Sequence, residues 1–363
     1  MPADELYLSW MGRGGSKITQ LEIWACPEVE SYLTEIDYYE HPRESRIKLL
    51  QLYPRLNLPV PEEDAPIPRP ILGSGKSSDP EAYVVRWGEG TTSTFRHGEA
   101  YFTDPEEVFS FSPLEHADFS DWEHVIANFD YSSEETLYQY FRGAYPADWG
   151  DKAPGGSAAS VGFYNTMFMW PMLTFGWELF LECCTDSRFE RIMEEFAELN
   201  RRAFRAFARL PVNFVHCHDD IVMTRGPVCS PQWMHKYIFP RYEEFWSIVK
   251  TAGKEVIFTV DGCADAYADD IFACGARGII SEPYTDYKRL AAKYKDCVLA
   301  GEGDNRVVNR NDPNEIRKMV ESMVETGKMS RGYIMSVGNH MPWNLNPEGV
   351  KRYLDLTDQL GYR

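Results

Sequence analysis

Short apolar runs alternate with longer segments of helical period through the second half of the chain. Strand-like runs fall at 212–215, 255–260, 277–281, 297–300 and 332–336. Segments of helical spacing follow them: 231–250 after Ser230-Pro231, a short one closing at Gly275, 287–294, 313–326 between Asp312 and Gly327, and 347–360. Ser or Asp before Pro is a helix start, and Gly just past the last periodic residue is a helix stop. The upstream part is less regular. A helix is expected over 43–53, a Pro-rich link over 61–70, and a strand over 82–87 with a polar loop at 88–92. Asp104-Pro105 opens a helix, 160–171 reads as a strand entering the core, and 177–184 is helical. Asp186 or Ser187 caps a longer helix running to about 210.

Strand, helix, strand, helix with short links means parallel strands joined by right-handed crossovers. Two architectures satisfy that, a doubly wound sheet and an eight-stranded barrel. No G-x-G-x-x-G opens a helix after any strand, so the dinucleotide-binding sheet does not fit. The strand ends favour the barrel, in which polar groups at the carboxyl ends converge on one mouth. Those ends carry His216, His218, Asp219 and Asp220, then Asp261 and Cys263, then Glu282, then Glu302 and Asp304, then His340. The expectation is an α/β chain forming a single (β/α)8 TIM barrel with an N-terminal helical or irregular extension. Residues 1–150 supply that extension and the first barrel elements, and 151–363 supply the main βα repeats.

Composition narrows the partners. The formal net charge of -19 disfavours nucleic acid and anionic membrane surfaces. No run is long and apolar enough to span a bilayer, and the acidic first residues do not read as a signal peptide. Eight cysteines scattered over 363 residues are not a disulfide framework. A reduced, cytoplasmic protein is expected.

Imidazole, carboxylate and thiol at the strand ends are all ligands that zinc accepts. The same groups also serve metal-free acid–base chemistry, and residue types alone leave both open. Strand alternation puts His216 and His218 on one face. Met169 and Trp170 are candidates for a pocket wall, the alternative being a place in the core.

The spacing of certain motifs goes further. Asp219-Asp220 is followed by Gly226-Pro227 and Ser230-Pro231, the next strand ends in Asp261-Gly262, and Gly301-Glu302-Gly303-Asp304 follows a later one. Over about 155–360 this organisation resembles the uroporphyrinogen decarboxylase superfamily, whose fold is a (β/α)8 barrel with extra N-terminal helices. Decarboxylases of that superfamily carry an Arg-rich N-terminal motif, of which residues 9–15 here are a weak echo. The chain looks more like the corrinoid-dependent methyltransferase branch, especially members that demethylate methoxylated aromatics. That resemblance implies a zinc at the barrel mouth and a cobalamin, as cob(I)alamin, carried by a partner corrinoid protein. It implies transfer of a methyl group to that corrinoid from a methoxylated aromatic. The zinc thiolates of the branch are replaced here by Asp261 and, near the late cysteine, His340, with Thr259 at the histidine position. Asp261, Glu282 and His340 are the metal set expected. His218, Asp219 and Asp220 are the expected catalytic acids, and His216, Arg225, Met169 and Trp170 the expected substrate contacts. An oxygen-rich set suits polarising an ether oxygen better than activating a thiol. The alternatives are a metal-free lyase using Arg225 and Arg306, a methylamine, thioether or methylcorrinoid donor, and a non-catalytic binding protein.

Overall fold

The computed structural model describes residues 4–56, 58–67, 69, 75–76, 82–86, 92–96, 101–122, 128–164 and 166–363. The polar loop expected at 88–92 lies outside them up to residue 91. The chain divides into two compact units, residues 1–10 with 100–280, and 11–99 with 281–363.

In the first unit four strands run parallel: Ser160–Tyr164, Phe214–His218, Glu255–Thr259 and Gly278–Ile280. Their register forms rows across the sheet. Val161, Val215 and Val256 share one row, Gly162, His216 and Ile257 the next, then Phe163, Cys217 and Phe258, then Tyr164, His218 and Thr259. Alternation sends odd rows and even rows to opposite faces. The apolar face is covered by two helices, Phe189–Arg209 and Phe239–Thr251. The first is amphipathic, burying Ile192, Phe196, Leu199, Ala203 and Phe207. Phe163 meets Phe204 and Phe207 edge-on, and Phe258 lies against Tyr242 and Trp246. The other face carries Gly162, Tyr164, His216 and His218. Its lower end is closed by the helix Glu5–Trp10, whose Trp10 ring sits 4.8 Å from Phe214.

Several boundaries differ from the sequence reading for identifiable reasons. The strand expected at 212–215 continues through His218, so the histidines are in the strand and not beyond its tip. The strand expected over 160–171 stops at Tyr164, and Met169–Phe175 is a helix. The helix expected over 231–250 is broken into Pro231–Tyr237 and Phe239–Thr251, with Pro240 in the first turn of the second piece. Proline has no N–H for the helix ladder, so the break falls there.

In the second unit, Val298–Ala300 leads into a set of parallel pairings. Leu299 bridges Tyr333, Gly303 bridges Val337, and Gln20 bridges Met335. Ile23–Trp24 pairs with His340–Met341. Pro313–Met329 and Pro347–Leu360 are its long C-terminal helices. Gly327, read from sequence as a stop, lies inside the first of them, where a Cβ would come within 2.5 Å of Ile18. The fold is thus α/β with parallel strands and intervening helices.

Candidate active site

The first unit concentrates its ionisable groups at the carboxyl ends of its strands. His218 ends one strand, and its Nε2 lies 3.0 Å from Asp220 Oδ1. The same Asp220 oxygen accepts a hydrogen bond from the Asp261 backbone N–H at 2.8 Å. One ligand atom from each of His218, Asp220 and Asp261 lies within 4.8 Å of the others. All three residues are half-buried.

Local backbone geometry holds this cluster. The chain after Asp220 forms a small hairpin, Val222–Met223 paired with Gly226–Pro227. Gly262 lies flush on it with φ of 101°, and a Cβ there would be 2.5 Å from the Met223 carbonyl carbon. Cys263 N–H donates to the Met223 carbonyl at 3.1 Å. Only glycine permits both that φ and that approach, so Gly262 seats Asp261 beside Asp220.

Asp219 faces the other way. It is fully buried and accepts from Thr166 Oγ1, the N–H groups of Met167, Phe168 and Met169, and Tyr242 Oη at 2.6–2.9 Å. Burial pushes its carboxyl up from the usual range, and these donors pull it back. Expected as an acid, Asp219 is instead the anchor that ties the segment entering the Met169–Phe175 helix to the end of the 214–218 strand.

His218 experiences opposed effects. Burial lowers its pKa, but the Asp220 hydrogen bond and the charges of Asp220, Asp261 and Asp219 together raise it above the ordinary value. His216, two residues deeper on the same face, has no such partner among the described residues, and burial lowers it to about 4. It is therefore a neutral imidazole at neutral pH. The Trp10 ring lies 4.6 Å from it.

The other expected contacts are placed as follows. Trp170 has no exposed surface and packs among Phe119, Tyr131 and Phe196, which makes it a core residue and not a wall of the site. Met169 is also buried. Arg225 stands exposed in the turn of the hairpin. Glu282 and His340 belong to the second unit. Glu282 is half-buried beside Gly338, and His340 Nδ1 lies 2.6 Å from Asn339 Oδ1, with burial lowering its pKa. Tyr164 was missed from sequence. Its ring sits 4.7 Å from that of His218, and it is 48% exposed. Alternation within Ser160–Tyr164 could have pointed to it, but a strand drawn on to 171 hid that this tyrosine ends the strand.

One imidazole and two carboxylates make a donor set that a divalent cation fits. Catalytic zinc is commonly held by three such protein ligands with a fourth position open. A second group of possible ligands among the described residues, His41, Glu44 and Asp64, is exposed. There Asp64 accepts from the N–H groups of Arg43 and Glu44 at the start of the Pro42–Leu52 helix, so it serves as a helix cap.

A parallel α/β fold with catalytic-type groups gathered at its strand ends defines an enzyme-like α/β class. Residues 182–360 match the family model of uroporphyrinogen decarboxylase (URO-D). That match spans just under half of the chain and lies in its C-terminal part. A solved methyltransferase from Methanosarcina mazei shares the fold, with a TM-score of 0.54 at 13% identity, covering 98% of this chain and 97% of that one. No curated protein matches the sequence. Among the described residues, no helix is long and apolar enough to cross a membrane.

Proposed function

We propose that the protein is a corrinoid-dependent methyltransferase that takes a methyl group from a methoxylated aromatic and passes it to cob(I)alamin on a partner corrinoid protein. The observation that carries the reading is the His218–Asp220–Asp261 cluster, hydrogen-bonded together at the strand ends. The family-model match over 182–360 and the fold similarity to a methyltransferase support it. In this reading the strands close into a (β/α)8 barrel with the cluster at its mouth.

An aryl ether is a poor methyl donor because its phenolate leaves badly, so stabilising the departing oxygen is where the protein must act. A zinc ion held by His218, Asp220 and Asp261 would supply Lewis acidity there. The protein's own groups position the reaction. Asp220 orients the His218 imidazole, Gly262 sets Asp261, and Tyr164 offers an aromatic surface beside His218. The metal-free lyase reading needs cationic groups for substrate carboxylates. Arg225 is exposed on its hairpin, and Arg306 is engaged with Asp304 at 2.7 Å.

Metal analysis and turnover test the proposal together. Protein purified without added metal is expected to hold about one zinc per chain, and Asp261→Ala and His218→Ala to lose it. Both variants should slow methyl transfer from a methoxyarene to cob(I)alamin by roughly 100-fold or more. Formation of methylcob(III)alamin is followed by its absorbance. Absence of zinc even after reconstitution, or full activity in both variants, sinks the proposal.

A further inference from the structure

Three helices of the second unit, Pro27–Thr34, Pro313–Met329 and Pro347–Leu360, line a cleft of about 490 Å³. One wall is a single face of the last helix, where Glu348, Lys351, Arg352 and Asp355 recur at helical spacing. Arg317 stands on the second wall, and Tyr32, 49% exposed, on the third. None of these residues belongs to the strand-end cluster, so what binds here stands or falls apart from methyl transfer.

With 56 acidic and 37 basic residues, this chain has carboxylates to spare for its arginines. Arg310, for example, meets Glu315 at 2.8 Å. The two arginines of the cleft are different. Arg352 is half-buried, and its Nε donates to Asn311 Oδ1 at 3.3 Å. Among the described residues no carboxylate pairs with it, and its terminal nitrogens have no hydrogen-bond partner. Arg317 comes only within 3.7 Å of Glu321, too far for a hydrogen bond. Both carboxylates of the cleft are engaged elsewhere. Asp355 accepts from Lys351 Nζ at 2.7 Å and Tyr53 Oη at 3.1 Å, and Glu348 accepts from Asn311 Nδ2 at 3.2 Å. Three cations against two hydrogen-bonded carboxylates leave the cleft locally positive. Salt screens charges beyond about 8 Å under physiological conditions, so this local set dominates for a ligand small enough to sit inside. An extended polyanion would still meet the acidic remainder of the chain.

We propose that this cleft binds the phosphate group of a small molecule, held between Arg317 and Arg352. A guanidinium presents paired N–H donors that match two oxygens at once. One such fork fills a carboxylate, whereas a phosphate has oxygens left for a second. Arginines with unused donors on two walls therefore fit phosphate better than carboxylate. Lys351 adds a third positive charge. The exposed Tyr32 ring is a surface that an aromatic phosphate ester can cover and inorganic phosphate cannot.

Calorimetry on the full-length protein compares inorganic phosphate, phenyl phosphate and benzoate. Saturable binding of one phosphate or phenyl phosphate per chain is expected, about 10-fold or more tighter than benzoate. Arg317→Gln and Arg352→Gln should each weaken it about 10-fold or more. Arg352→Lys keeps the charge but not the fork and should recover only part of the loss. Lys328→Gln removes the same charge near the far end of the Pro313–Met329 helix and should leave affinity within about 2-fold. Circular dichroism checks that each variant keeps the wild-type fold. Tighter binding of phenyl phosphate, with the advantage lost in Tyr32→Ala, assigns the cleft to an aromatic phosphate ester, and equal affinities assign it to inorganic phosphate. No saturable binding of either phosphate, benzoate bound as tightly, or equal losses in Arg352→Gln and Lys328→Gln overturns the proposal and leaves a solvated basic cleft.

Discussion

Asp219 and Asp220 are neighbours in sequence with different work. Successive residues leaving a strand point to opposite sides, so one carboxylate goes under the sheet and the other to its open face. Asp219 accepts from Thr166, Met167, Phe168, Met169 and Tyr242. Removing it leaves several buried donors without a partner, each costing about 1–3 kcal/mol. Asp219→Ala should therefore lose about 3 kcal/mol or more of stability in urea denaturation. A variant of wild-type stability with abolished turnover would return Asp219 to a chemical role. The pair Asp-Asp was legible in the sequence as a site marker. Which member faces the site was not, because that depends on where the strand ends, and the strand runs to His218 instead of 215.

Among the elements, the hairpin at Val222–Met223 and Gly226–Pro227 matters most to the site. It is the surface against which Gly262 closes, and that contact sets the distance between Asp220 and Asp261. Gly262→Ala combines a strained φ with a Cβ overlapping Met223 backbone. We expect it to destabilise the protein by about 2 kcal/mol or more and to weaken metal retention by 10-fold or more. Thermal unfolding and metal content measured on the same preparation check this. Normal zinc content in that variant would mean the hairpin contact does not position Asp261. The sequence showed Asp261-Gly262 as a strand tip. It could not show that the glycine is required by backbone from a hairpin 39 residues earlier.

For the whole molecule, stability should carry a pH signature unrelated to the site. In the second unit Glu22 is buried and accepts from Gln20 Nε2, Tyr353 Oη and the Val337 N–H. Burial raises its pKa from 4.5 to about 7, which these hydrogen bonds only partly oppose. A raised carboxyl means the folded state holds a proton that the unfolded state releases. Its contribution is full below pH 4.5 and is lost as pH rises through about 7, at up to about 1.4 kcal/mol per pH unit. Denaturation between pH 4.5 and 7.5 should show wild-type stability falling relative to Glu22→Gln over that window. Parallel curves for the two proteins would show that Glu22 is ionised throughout.

The sequence by itself determined the alternation of strands and helices, because periodicity and capping are local. The caps it marked at Asp104, Ser230 and Asp312 all accept hydrogen bonds from the first turns of their helices. It also determined that acidic and imidazole groups cluster at strand ends, since residue types at a tip are read directly. Only the tertiary structure decided which of them meet. His218, Asp220 and Asp261 come together through strand register and the Gly262 contact, neither of which leaves a local pattern. It alone decided that Trp170 is core and Tyr164 is exposed beside His218. An aromatic residue has the same apolar signature in both settings, and its role depends on what packs against it.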